Sequence, residues 1–224
     1  MVLDSGIAPS TLRRSIERGA LEVVCRGVFR LPGSPRSEEQ RLWAAHLRVG
    51  SESVVAHGSA ARLWGLKSIE QCRPTLVVPH RLSPRVGSGM IVHRTRRLDE
   101  PDIGDVNGLP VTQPARTLVD LSAETGKARL TAALEEAHYN KLVGYLEVGR
   151  TLLRLGEPGR RGAVLLGELL DARTSGRNLE QSVLERLLSE LFEAAGITEV
   201  IRQNPLQSHG GVDGLVDAFL PRGA

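Results

Sequence analysis

Two carboxylates near the end of the chain are the first residues whose types and spacing could do chemistry. Glu185 borders an apolar helical stripe, and Asp217 heads an apolar run that resembles a strand. In a metal-dependent nuclease, paired carboxylates place a divalent ion that activates water and stabilises the leaving oxygen. Such a core also needs a second acidic strand and a lysine, and the sequence ends seven residues after Asp217. We therefore expect a vestigial pair that holds no metal, with Glu185 as a surface-edge acid.

A second candidate site lies near the N-terminus. The sequence predicts a helix that starts at Pro9 or Ser10 and ends at Gly19. Two short strands, Leu21–Cys25 and Val28–Leu31, follow it around a tight turn. A helix followed by a β-hairpin with a basic tip is the second half of a winged helix-turn-helix, and its earlier helices are missing or reduced to the first four residues.

The polar residues of this segment are the predicted DNA contacts. In such motifs the start of the recognition helix reaches base edges, while arginines at its end and in the wing contact phosphates. The alternative is a solvated helix face in which Arg13 and Glu17 form an ordinary i,i+4 ion pair. The predicted contacts are Ser10, Thr11, Arg13, Arg14, Arg18 and, at the wing tip, Arg26.

Arginine also accumulates in the middle of the chain. Between His57 and Arg97 there are eight lysines and arginines against a single acid, Glu70, although the net charge of the whole chain is only +3. Arginine suits phosphates and base edges. The cluster predicts a second DNA face or a surface for a protein partner, and a merely solvated basic face is the alternative. The candidate residues are Arg62, Arg81, Arg85, Arg94, Arg96 and Arg97.

Several other polar residues receive structural interpretations. The pair of His57 and Ser59 lacks the nucleophile elbow of a hydrolase, so a helix-capping segment is expected. Arg116 and Asp120 are spaced for a salt bridge on one helix. The two cysteines have no CxxC partner and the six histidines are scattered. No zinc or other transition-metal site, and no disulfide, is therefore expected.

Composition bounds the class of protein. Hydrophobic residues make up 41% of the chain and charged residues 25%, which is ordinary for a globular protein. No apolar run is long enough to span a bilayer, and no basic segment followed by an apolar one begins the chain. We expect a cytoplasmic protein without membrane contact.

Periodicity and turn residues predict an α+β protein in three parts. These are a winged-helix DNA-binding segment (1–35), a mixed α/β middle domain (36–172) and an incomplete nuclease-like tail (173–224). The predicted elements of the middle domain are helices at Glu38–Val49, Ser59–Trp64, Ala115–Ala123, Lys127–Asn140 and Leu146–Leu155, with strands at Thr75–Val78, Met90–His93 and Leu109–Val111. In the tail we expect a helix from Asn178 to Gly196 and strands at Val200–Asn204 and Val212–Leu220.

Three stretches together carry a family resemblance. They are the hairpin segment Gly19–Leu31, the stretch Ala56-His57-Gly58-Ser59-Ala60-Ala61-Arg62-Leu63-Trp64-Gly65-Leu66, and the stretch Gly108-Leu109-Pro110-Val111-Thr112-Gln113-Pro114-Ala115-Arg116-Thr117-Leu118-Val119-Asp120-Leu121. In this order and spacing they resemble the AbiEi-type antitoxins of type IV toxin–antitoxin systems, in the actinobacterial style. The resemblance covers most of residues 6–155. Residues 178–221 resemble the start of a very-short-patch-repair endonuclease, of the restriction-endonuclease-like fold.

The resemblance implies a transcriptional autorepressor. Its winged helix would bind double-stranded DNA at its own operator, and its middle domain would antagonise a nucleotidyltransferase-like toxin without a stable complex. No cofactor is implied, except Mg²⁺ if a longer product restored an intact nuclease site. A metal-dependent DNA endonuclease, incomplete here, is the alternative from another class, and a decayed gene product without activity is the third.

Overall fold

The computed structural model describes residues 8–70, 73–155 and 162–174, scattered positions between 187 and 195, and the backbone of 201–206 and 214–219. The chain divides into two compact units, Met1–Gly176 and Arg177–Ala224. The predicted N-terminal segment and middle domain therefore fall in one unit.

The N-terminal segment is a helix followed by a β-hairpin. Helix α1 (Pro9–Glu17) begins with proline, whose missing N–H costs nothing at that position, and none of its residues is buried. Strands β1 (Glu22–Cys25) and β2 (Val28–Arg30) pair antiparallel around Gly27, whose φ of 81° is unfavourable for residues with a side chain.

The hairpin packs against the next helix, α2 (Glu38–Val49). Val28 is buried, and the Arg30 side chain donates to Gln40 Oε1 at 3.2 Å. The α2 helix starts at a capping residue, Ser37, whose hydroxyl accepts a hydrogen bond from the Gln40 amide at 3.0 Å. The first turn of α2 thus also holds the hairpin.

A five-stranded mixed sheet forms the centre of the first unit. Its strands are β3 (Val54–Val55), β4 (Thr75–Pro79), β5 (Ile91–Thr95), β6 (Ile103–Val106) and β7 (Leu109–Thr112). Their spatial order is β5-β4-β3-β7-β6. The β4–β5 and β3–β7 pairs are parallel, while β3–β4 and β6–β7 are antiparallel.

Helices cover this sheet because their apolar residues repeat at helical spacing. Beyond α2 they are α3 (His57–Leu63), α4 (Pro114–Leu121), α5 (Lys127–Tyr139), α6 (Tyr145–Leu155) and α7 (Ala163–Asp171). One core cluster joins α2 to the sheet through Leu42, Val55, Leu109 and Val111, with Trp64 packed beside it. The indole N–H of Trp64 donates to the Thr112 carbonyl at 2.8 Å.

The second unit contributes a two-stranded antiparallel sheet. Strand β8 (Ile201–Leu206) pairs with β9 (Gly214–Phe219) so that Ile201 lies opposite Phe219. Both strands were expected within two residues of these bounds. The tail helix predicted from Asn178 begins outside the described residues.

Most predicted elements of the first unit are confirmed to within about two residues. α2 has the predicted bounds, and the helices near Ala115, Lys127 and Leu146 are present. Among the described elements, β3, β6, α7 and a 3-10 helix at Glu100–Asp102 were not predicted. The first two are short strands that exist because neighbours pair with them, and they leave little local signal.

Candidate functional site

The predicted DNA-contacting residues all lie on the surface. Ser10, Thr11, Arg13, Arg14, Arg18 and Arg26 are each exposed. Arg13 and Glu17, both among the described residues, do not form the ion pair that would have occupied this face. Six polar side chains on a helix and a hairpin tip therefore remain accessible to a ligand.

The residues of the predicted second basic surface separate into two groups. The Arg62 guanidinium is committed to the fold, since Nε and Nη2 donate to the Glu38 carboxylate at 2.7 and 2.8 Å and Nη1 donates to the Ile69 carbonyl at 3.0 Å. It joins α3 to α2 and is half-buried. The other five, of which Arg81 is paired with Glu52, are exposed.

Three of these exposed arginines line one cavity of about 520 Å³ beside the edge strand β5. Arg94, Arg96 and Arg97 contribute to its wall. The remaining lining residues are His57, Val77, His80, His93, Thr95, Arg116, Asp120 and Leu155. The cavity is thus rich in cationic and imidazole groups and has one carboxylate.

A buried ion network lies behind this wall. Arg116, 2% exposed, donates to both oxygens of Asp120 at 3.1 and 3.0 Å and to Asp102 at 3.0 Å. Arg154 of α6 also pairs with Asp102. The predicted Arg116–Asp120 salt bridge is confirmed, and the structure adds the link from α4 to β6 and α6. Buried charges need such partners, because each lost pairing leaves a desolvated ion.

Histidines and one carboxylate meet at the edge of the same cavity. His57 is the first residue of α3, His93 lies in β5, and Glu124 lies between α4 and α5. Nδ1 of His57 and Nε2 of His93 each lie 3.2 Å from Oε1 of Glu124. The two imidazole rings stack with centroids 4.3 Å apart.

Electrostatics favour neutral His93 and ionised Glu124 in this cluster. Burial lowers the pKa of His93 from its ordinary value, and the neighbouring His57 lowers it further, against the opposite pull of Glu124 and Asp120. The contact with His57 holds the pKa of Glu124 below its usual value, although partial burial opposes this.

Sequence reasoning missed this cluster. The residues come from three distant segments with no His-x-x-x-His spacing, so no local pattern could have indicated it. The helix-capping role expected for His57 and Ser59 is wrong, because the cap of α3 is Ala56 without a side-chain bond. Ser59 instead accepts a hydrogen bond from the Thr75 amide at 3.0 Å, which ties α3 to β4.

The predicted carboxylate pair of the tail is not assembled by the described residues. Asp217 lies in β9, between Val216 and Ala218, which pair with Asn204 and Arg202 of β8. Glu185 lies outside the described residues. The vestigial nuclease site thus stays a prediction.

The described helices include none long and apolar enough to cross a membrane. Comparisons with known proteins concern the sequence and the fold. A search of curated proteins found no significant match. A crystal structure of the Rv2827c protein from Mycobacterium tuberculosis superposes with a TM-score of 0.51 at 19% identity, covering 80% of this chain and 70% of that one. This similarity concerns the fold.

The family model described as the AbiEi antitoxin C-terminal domain matches residues 53–172. The match runs from the start of β3 to the end of α7, so it includes the central sheet, the Arg116 network and the cavity wall. It covers more than half of the sequence. The chain therefore belongs to the AbiEi antitoxin family.

Proposed function

We propose that the protein is a DNA-binding antitoxin that represses transcription of its own operon and counteracts a nucleotidyltransferase-like toxin. The observation that carries this proposal is the family match over residues 53–172. An antitoxin domain implies a toxin as partner. The second proposed partner is DNA, because the N-terminal segment exposes a helix and a hairpin tip that carry polar and basic side chains.

The DNA-binding step rests on α1 and the β1–β2 hairpin. α1 carries Ser10, Thr11, Arg13 and Arg14 on its accessible surface, and its apolar residues Leu12 and Ile16 are less exposed than its arginines. A helix with this division can enter the major groove with its first residues against base edges. Arg26 at the hairpin tip is placed to contact the phosphate backbone, which fixes register without reading sequence.

The toxin-directed step belongs to the family domain. In this proposal the exposed arginines beside β5 (Arg94, Arg96 and Arg97) contact acidic groups of the toxin or a nucleic acid that it uses. Exposed guanidinium groups form paired hydrogen bonds with carboxylates and phosphates alike. The cavity beside them supplies a concave surface, whereas Arg62 is excluded because Glu38 occupies it.

Fluorescence anisotropy tests the DNA-binding half. The purified chain is titrated into a labelled duplex from its own upstream region and into a scrambled duplex of equal length, at low and moderate salt. We expect a preference for the native duplex that persists as salt rises. Equal binding that disappears with salt would mean phosphate attraction alone and would overturn the repressor role.

Co-expression tests the antitoxin half. The chain is expressed with the product of the gene next to its own, and growth is compared with expression of that product alone. We expect growth to be restored. A matched variant, Arg94→Ala with Arg96→Ala, should restore less growth at equal protein level than the variant Arg36→Ala with Lys127→Ala, which removes two exposed charges elsewhere. Equal rescue by both would exclude the arginines beside β5 from the function.

A further inference from the structure

Three side chains at the edge of the cavity have the composition of a metal site. His57 Nδ1, His93 Nε2 and a Glu124 carboxylate oxygen all lie within 4.8 Å of one another. They come from α3, β5 and the α4–α5 connection, elements that the sheet and the Arg116 network hold in place. The donors are thus positioned by the fold and not by one flexible loop.

The two imidazole nitrogens are buried and approach the same carboxylate oxygen. His57 Nδ1 and His93 Nε2 are inaccessible to solvent and form no regular hydrogen bond within the described part of the chain. Both lie 3.2 Å from Oε1 of Glu124, which is an ion-pair distance. Two nitrogen donors and one carboxylate oxygen that converge in this way are the ligand types that a zinc ion uses.

The backbone at His57 carries a second sign of constraint. Its φ is +53°, in the left-handed region, where few residues with a side chain are found. The conformation turns the chain from β3 into α3 and directs the imidazole toward Glu124. Strain of this kind persists when the surroundings enforce it, and it often accompanies ligand sites.

We propose that His57, His93 and Glu124 bind a divalent transition-metal ion of the zinc class. Nitrogen donors with one carboxylate suit Zn²⁺ and its neighbours, whereas Mg²⁺ and Ca²⁺ prefer oxygen. Two ligands bonded at about 2.0 Å to a tetrahedral zinc ion lie about 3.3 Å apart. The two 3.2 Å distances to Glu124 are close to this spacing.

The cavity provides access to this site. His57 and His93 also line the cavity of about 520 Å³, so the ion reaches its ligands from that side. Three protein ligands leave a fourth position, where water or an anion completes the coordination. The site thus goes beyond the proposed antitoxin function, which does not require it.

Metal titration of the full chain tests the proposal. Tag-free protein is stripped with a chelator and titrated with Zn²⁺ against a chromophoric competitor, and with Co²⁺ monitored by visible absorption. We expect one ion per chain, intense Co²⁺ absorption typical of low coordination number, and a rise in Tm with Zn²⁺ concentration, because the ion binds the folded state.

Conservative variants separate this site from adventitious binding. Glu124→Gln keeps the shape of the side chain at an exposed position. His57→Asn removes the imidazole and introduces another residue that tolerates a positive φ. Each should weaken Zn²⁺ binding by more than about 100-fold, because even groups that only hydrogen-bond to a metal ligand contribute about 10–100-fold. His138→Gln, on an exposed histidine stacked on Tyr145, is the matched control and should bind as the parent does.

The contrary outcomes are distinct. Parent protein that binds no Zn²⁺ at a stoichiometric ratio, or equal binding by Glu124→Gln and the parent, would overturn the proposal. Equal loss in His138→Gln would assign the signal to surface histidines. Circular dichroism of each apo variant checks folding, and His93→Gln replaces either variant that does not fold.

Discussion

Arg14 and Arg26 are both exposed arginines, yet the proposed DNA complex gives them different tasks. Arg14 lies in α1 and Arg26 at the hairpin tip. In the proposed complex the Arg14 side chain would reach base edges and the Arg26 side chain would reach phosphates. Arg14→Ala should cost about 1–3 kcal/mol on the native duplex and reduce discrimination against the scrambled one. Arg26→Ala should weaken binding to both duplexes alike and lower the salt slope by about 1.

Anisotropy titrations over a range of salt concentrations measure both effects. Arg36→Ala is the control, because it removes an exposed arginine from the linker between the hairpin and α2. Binding by both variants that equals the parent's would contradict the assignment of α1 and the hairpin to DNA.

The buried Arg116 gives the largest expected effect of any single side chain on stability. Arg116→Met leaves Asp102 and Asp120, which are 1% and 4% exposed, without their shared cation. Removing one partner of a buried pair costs about 3–5 kcal/mol. Arg129→Met is the matched control, because its pair with Glu70 is exposed and such pairs contribute about 0–1 kcal/mol. Urea unfolding should show a much lower midpoint for Arg116→Met than for Arg129→Met. Equal midpoints of the two variants would mean that water reaches the Arg116 network.

His46 makes the stability depend on pH. Burial lowers the pKa of His46 below 6.5, although a hydrogen bond with Ser53 opposes this. Because the unfolded state then binds more protons, the stabilisation is complete above about pH 6.5 and declines as pH falls toward the lower pKa of the folded state. His46→Gln should flatten this part of the Tm curve, whereas His138→Gln should leave it unchanged. If Tm changes with pH in His46→Gln as it does in the parent, a group other than His46 causes the dependence.

At the scale of elements, the connection from α6 to α7 depends on one glycine. Gly162 precedes α7 with φ of 76°, and a Cβ there would lie 1.9 Å from the Ser122 carbonyl oxygen just after α4. Gly162→Ala combines left-handed strain with a backbone collision and should cost at least about 3 kcal/mol. Gly167→Ala, inside α7 with open space around it, should instead stabilise by up to about 1 kcal/mol.

Urea midpoints of these two alanine variants provide the comparison. A tolerated Gly162→Ala would mean that α7 does not pack closely against the end of α4. Loss of stability in Gly167→Ala would show that its surroundings are filled.

Elements were predictable where the signal is local. The helix Glu38–Val49 and the hairpin turn after Cys25 were both placed from the sequence, and the structure shows Ser37 capping that helix and Gly27 in that turn. β3 has only two residues and is defined by β4 and β7 on either side. α7 is a short helix between a Gly- and Arg-rich loop and a polar hinge. Its leucines are spaced as in a helix, but the flanking segments indicate loops.

The candidate site was less predictable than the elements. The exposed residues of α1 could be identified because amphipathic spacing assigns one face to solvent. The meeting of His57, His93 and Glu124 depends on the tertiary arrangement of α3, β5 and a loop, and no periodicity encodes that. For the same reason the Arg116–Asp120 bridge was foreseen, while the partners Asp102 and Arg154 were not.

At the scale of the whole molecule, the modest net charge of +3 means that attraction to DNA depends on where the cations lie. Both the α1–hairpin surface and the arginines beside β5 belong to the first unit, as do the buried apolar side chains of the described residues, from Val28 to Leu170. A unit with its own core can fold alone. The first unit therefore contains both proposed activities.

A chain that ends at Gly176 tests this division. Because the core and the candidate surfaces precede that residue, the shortened chain should unfold cooperatively and bind the native duplex within about threefold of the full chain, a difference of less than about 1 kcal/mol. Calorimetry measures the cooperativity of unfolding, and anisotropy measures the affinity for DNA. A second chain that ends at Asp171, the last residue of α7, controls for the choice of end point. If the shortened chain folds but no longer prefers the native duplex, residues 177–224 contribute part of the DNA-binding surface.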